Sequence, residues 1–69
     1  MYLFKRELKD EIVNKFKISY IADNTGISRV YLSNIFNSKV AIRKTIAYCI
    51  VKTIDKEAEI EDYFIKKEK

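Results

Sequence analysis

YIADNTGISRVYLSNIFNSK, residues Tyr20 to Lys39, is the stretch whose reading decides the fold. Gly26 is the only glycine in the chain. It can take the left-handed backbone conformation that closes a helix without steric cost. Ser19 offers a cap for a short helix starting at Tyr20, and Gly26 ends it. Ile27 then turns the chain inward, and Ser28 is placed to cap a further helix, Arg29 to Phe36. Within that helix Leu32 and Ile35 stand three apart and face inward with Ile27, leaving Arg29, Val30, Ser33 and Asn34 outward. Ile21 and Leu32 supply the contact between the two helices, and Ala22 allows their close approach. Asn37 and Ser38 end the second helix, because their side chains compete for backbone hydrogen bonds.

Outward from this block the spacing predicts three more helices. Phe4, Leu8, Ile12 and Phe16 recur every fourth residue between charged neighbours, the stripe of an amphipathic helix over about Leu3 to Phe16. A helix over Ile42 to Ile54 would turn Ile46, Cys49 or Ile50, and Thr53 or Ile54 inward. Asp55 stops it, and a last helix follows in which Ile60 and Phe64 pair at i,i+4 beside Tyr63. The expected fold is all-α, a compact five-helix bundle in one domain over residues 1–69, with 55–69 as its C-terminal helix.

Composition restricts the chemistry. The 69 residues contain no proline and no histidine, and one cysteine. Cys49 can neither bridge within the chain nor join a metal site, and its apolar neighbours predict a buried thiol acting as a small hydrophobe. Neither cofactor nor metal is expected. No stretch approaches the roughly 18 apolar residues that span a bilayer, and no signal segment is visible, so a reducing cytoplasm is the expected location. With no phosphate-binding glycine loop and no nucleophile beside a base, an enzyme is not expected. Glu61 and Asp62 read as ordinary helix-surface charges.

Charge is unevenly spread. Residues 1–54 carry ten Lys and Arg against four Asp and Glu, whereas 55–69 carry four against six. Between Asp23 and Asp55 there is no acidic residue, yet Arg29, Lys39, Arg43, Lys44 and Lys52 all fall there. Such a one-signed stretch is the electrostatic footprint expected for a polyanionic partner.

Tyr20 to Lys39 resembles the helix-turn-helix of phage repressors, Cro-like proteins and xenobiotic-response-element-type bacterial regulators. The shared pattern is apolar-Ala, three residues, Gly-apolar-Ser, and then two apolar positions three apart. The resemblance covers about Leu3 to Ile54 and implies a lambda-repressor-like fold. Phe36, Asn37 and Ser38 stand where many members carry Glu-Asn-Gly, and Ile18 stands where a glutamine often touches the DNA backbone.

The implied partner is double-stranded DNA, read by Ser28, Arg29, Val30 and Asn34. The chemistry of these side chains suits the major groove: an arginine fork matches guanine O6 and N7, an asparagine amide pairs with adenine, and valine rests on a thymine methyl. Ser19, Tyr20, Asn37, Lys39, Arg43 and Lys44 are the candidates for phosphate contact. Regulators of this type gain affinity by presenting two helices about 34 Å apart, so a homodimer is expected, with Ile60, Tyr63, Phe64 and Ile65 as its candidate interface. The expected role is a transcriptional regulator, such as a repressor, of a phage or mobile element, with no small-molecule ligand. The alternative is a small inhibitor of a host factor, for example an anti-defence protein, using the same fold as a protein-binding surface. RNA is disfavoured by the lack of a base-stacking aromatic cluster.

Overall fold

In the computed structural model, which describes residues 1–67, the chain begins in a strand rather than a helix. Positions 68 and 69, the end of the expected C-terminal helix, lie outside the described residues. Strand β1, Tyr2–Phe4, pairs antiparallel with β2, Phe64–Lys66, in the register Tyr2 with Lys66, Leu3 with Ile65 and Phe4 with Phe64. Between them lie α1 (Lys9–Lys15, preceded by a 3-10 turn at Arg6–Leu8), α2 (Ile18–Thr25), α3 (Arg29–Phe36), α4 (Lys44–Ile54) and α5 (Ile60–Tyr63). The all-α five-helix bundle is therefore corrected to a helical domain closed by a two-stranded antiparallel sheet.

The sheet is held by the core. Phe4 is buried with its ring edge-on to Phe36 at 4.9 Å and to Phe64 at 5.3 Å, joining the first strand, the end of α3 and the last strand. A helix over Leu3–Phe16 would bury the same stripe, and Phe4, Leu8, Ile12 and Phe16 do all pack in the core. It would, however, leave the backbone of Tyr2 without its partners. Tyr2 exchanges hydrogen bonds with Ile42, N to O at 2.7 Å and O to N at 2.8 Å. That exchange also holds Ile42 extended, so α4 starts at Lys44 rather than at Ile42.

Two further expectations are corrected by helix phase. α2 starts at Ile18, not Tyr20, with Lys17 as its cap residue and Ser19 inside the first turn. The earlier start sets Ile18, Ile21, Ala22 and Thr25 on one side at i, i+3, i+4 and i+7. In α4 the same spacing is met by Ala47, Ile50, Val51 and Ile54, all buried, which turns Cys49 outward and exposes it. The C-terminal helix shrinks to Ile60–Tyr63, started by a reciprocal capping box between Glu59 and Asp62 and ended where Phe64 becomes extended to meet β1.

α3 ends in a Schellman arrangement: Ser38 N–H donates to Ile35 O at 3.0 Å and Lys39 N–H to Asn34 O at 2.9 Å. The left-handed position falls on Ser38, with φ 60°. A serine there costs about 1 kcal/mol relative to glycine. Its hydroxyl compensates by donating to Phe4 O at 2.7 Å, pinning the end of α3 to β1. Ser38→Ala keeps the strain and loses the bond, so a loss of about 1 kcal/mol is expected in urea denaturation. Ser38→Gly loses both and is expected to stay within about 1 kcal/mol of the parent. Equal midpoints for the alanine variant and the parent would refute the pinning role.

Candidate nucleic-acid interface

α2 and α3 pack on each other and are joined by Gly26, Ile27 and Ser28. Gly26 has φ 76°, and a Cβ there would meet nothing within 4 Å, so the requirement for glycine is conformational rather than steric. Thr25 tightens the turn, its hydroxyl donating to Ile21 O at 2.7 Å and accepting from Ile27 N–H at 3.2 Å. Ser28 caps α3 by accepting from Tyr31 N–H at 3.1 Å.

The inward side of α3 is Leu32, Ile35 and Phe36, all buried. At about 100° per residue, Val30 and Asn34 fall on the opposite side, with Arg29 and Ser33 towards one flank and Tyr31 towards the other. Ser28 and Arg29 are exposed and Asn34 is partly so. Val30 is 74% exposed, an apolar side chain at the outermost point of the helix.

The starts of the helices divide the molecule electrically. α1 has Asp10 and Glu11 in its first turn, and α5 has Glu61 and Asp62, the sign that suits the positive end of a helix. α2, α3 and α4 have no acid there. Instead they carry Lys17, Arg29, and the pair Arg43 and Lys44, at or next to the cap. Each such cation is disfavoured by about 0.3–1 kcal/mol in the isolated chain. Neither Lys17 nor Arg43 makes a side-chain cap bond, so the first N–H groups of α2 and α4 stay open. Three consecutive helix starts thus combine cations with helix dipoles, an arrangement relieved by anions.

Three of the acids meet elsewhere, around Tyr63. Burial first, and then the carboxylates of Asp55, Glu11 and Asp62, hold the Tyr63 phenol above its ordinary pKa range.

Of the phosphate candidates, Lys39, Arg43 and Lys44 are exposed, Tyr20 is 48% exposed beside Phe16, and Ser19 is half-buried in the first turn of α2. Asn37 is committed inside the fold. Its carbonyl oxygen accepts from Lys9 Nζ at 2.6 Å and its amide donates to Ser33 O at 2.9 Å, so it ties α1 to the end of α3. Lys17 is absent from the sequence-based candidates, although the missing acid around it was a readable signal. Of the candidate dimer residues, Ile60 and Phe64 are buried in this chain's own core, Tyr63 is half-buried and Ile65 is exposed.

Among the described residues no cluster of His, Cys, Asp or Glu could hold a metal ion, and no helix is long and apolar enough to cross a membrane. Compared with known proteins, the chain matches no family model, and no curated protein or solved structure is significantly similar to it.

Proposed function

We propose that this chain binds duplex DNA sequence-specifically by laying α3 in the major groove, with Arg29, Val30 and Asn34 toward base edges and Ser28 at the helix start. The observation that carries the reading is the reversed charge at three consecutive helix starts, which is unfavourable alone and favourable against phosphates. The outward side of α3 supports the same reading: one fork donor, one amide and one apolar contact match the three kinds of feature that base pairs present in that groove. Lys17, Tyr20, Lys39, Arg43 and Lys44, with the open N–H groups of α2 and α4, fix orientation on the backbone. The biological role, transcriptional control in a phage or mobile element and hence in the cytoplasm, rests on the resemblance of Tyr20 to Lys39.

With about four phosphates neutralised per chain, log affinity falls against log salt with a slope near −3.6 for each bound chain. Fluorescence anisotropy of a labelled duplex across a salt series measures it. A slope shallower than about −1, or equal affinity for single strands, would defeat the reading.

A further inference from the structure

We propose that the Ser33 hydroxyl donates a hydrogen bond to a DNA phosphate, and that Lys9 and Asn37 hold it in the donating orientation. The proposal rests on the reading of α3 as the groove helix and adds to it Ser33 and Lys9, which have no part in that reading. Ser33 lies one turn from Arg29 and one turn from Asn37, so the three form a row along one flank of α3. Lys9, the first residue of α1, reaches the end of that row.

Donor chemistry fixes the orientation. Lys9 Nζ donates to Asn37 Oδ1 at 2.6 Å. An ammonium group has donors and no acceptor, so it must face the oxygen of the amide. The amide nitrogen of Asn37 is thereby turned to Ser33, where it lies 2.9 Å from the carbonyl oxygen and 3.4 Å from Oγ. That nitrogen also carries donors only, so Ser33 Oγ can only accept from it, and the hydroxyl proton must leave in another direction. Other helical hydroxyls return that proton to their own helix: Thr25 donates to Ile21 O at 2.7 Å and Thr53 to Cys49 O at 2.9 Å. Among the described residues, Ser33 Oγ donates to no acceptor.

Position selects the acceptor. Val30 and Asn34 hold the outermost side of α3, toward base edges, and Ser33 stands beside them on the flank. A helix lying in the major groove has bases ahead of it and the phosphate backbones at its flanks. This flank offers donors alone: the Arg29 guanidinium at one end, the Ser33 hydroxyl, and the Lys9 ammonium at the other, with the amide of Asn37 already engaged on both sides. Phosphate oxygens are acceptors alone. The charge of half-buried Lys9, behind the hydroxyl, strengthens such a contact through the chain of hydrogen bonds.

Fluorescence anisotropy with a labelled duplex of mixed sequence tests this, because a phosphate contact is indifferent to sequence. Ser33→Ala is expected to weaken binding about tenfold, as for one hydrogen bond to a charged acceptor, with the salt slope unchanged. Its circular dichroism melt should lie at or above that of the parent, since alanine favours the helix. Lys9→Met frees the Asn37 amide to turn its oxygen toward Ser33 and draw the hydroxyl proton inward. Its loss of affinity should therefore be at least about threefold larger in the parent than in the Ser33→Ala background. Lys9→Arg, again a donor without an acceptor, should restore binding. Where the parent binds the duplex, equal binding by Ser33→Ala overturns this inference alone. So does a Lys9→Met loss of the same size in both backgrounds, which would leave Lys9 acting only as a charge. A parent that does not bind the duplex defeats the DNA reading and this inference together.

Discussion

Phe4→Ala is expected to remove about 3–5 kcal/mol of stability, the range for deleting a buried phenylalanine ring. At about 0.05–0.15 kcal/mol per residue, a chain of this length has roughly 3–10 kcal/mol in total, so the variant sits at or near unfolding at room temperature. The loss falls at the high end because Phe4 is where three distant pieces of chain meet. Its ring contacts Phe36 and Phe64 edge-on, its carbonyl holds Ser38, and its strand pairs with β2. The cavity is also hard to refill, since Phe36 and Phe64 are themselves fixed by α3 and β2. Thermal melts followed by circular dichroism measure the effect, with Leu3→Ala as the control on the outward face of the same strand. A Phe4→Ala midpoint within about 5 °C of the parent would show that the aromatic junction does not hold the fold.

That junction is also where sequence reading reaches its limit. The bounds of α3, its Ser28 cap and the left-handed Gly26 were legible, because each depends on residues within one or two turns of each other. The fourfold recurrence of Phe4, Leu8, Ile12 and Phe16 identified core residues correctly but not their secondary structure. A repeat of four is met equally by a helix and by a strand, a 3-10 turn and a helix laid along one core. What separates the two is the pairing of three residues at one end with three at the other, and a three-residue strand carries too little alternation to announce itself. In α4 the run from Ile46 to Val51 is apolar or small at nearly every position, so its phase is set by packing against α2 and α5 rather than by pattern. Cys49 was assigned to the interior for that reason and lies outside.

The candidate interface divides along the same line. Arg29, Val30, Lys39, Arg43 and Lys44 follow from local helix phase and charge and are exposed. Asn37 followed from the resemblance, as the asparagine shared with Glu-Asn-Gly, and in the fold its side chain receives Lys9 from 28 residues away. Ile60 and Phe64 were legible as apolar, but which surface they cover depends on where β2 runs.

Arg29→Ala is expected to act on sequence preference rather than on binding as a whole. Its guanidinium leaves the first position of α3, exposed and beside the outermost residue Val30, where a two-pronged contact to guanine is worth about 1–3 kcal/mol. In a selection from random duplexes at moderate salt, the parent should enrich a motif containing a guanine. The variant should lose that preference at one base pair by roughly 5- to 150-fold while the salt slope stays close to its parent value. Lys39→Ala provides the contrast, because a phosphate contact lowers affinity for all sequences alike and makes the slope shallower by about 1. Stability supplies an independent sign. Arg29 is a cation at the positive end of α3, so its removal should leave the free protein as stable as the parent or more so, by about 0.3–1 kcal/mol. A residue kept against its own helix dipole and needed for one base pair is one held in place by a ligand. If Arg29→Ala selects the same motif with equal strength, α3 does not read bases through this side chain. If it also melts lower than the parent, the charge at the helix start is serving the fold and the anion argument fails with it.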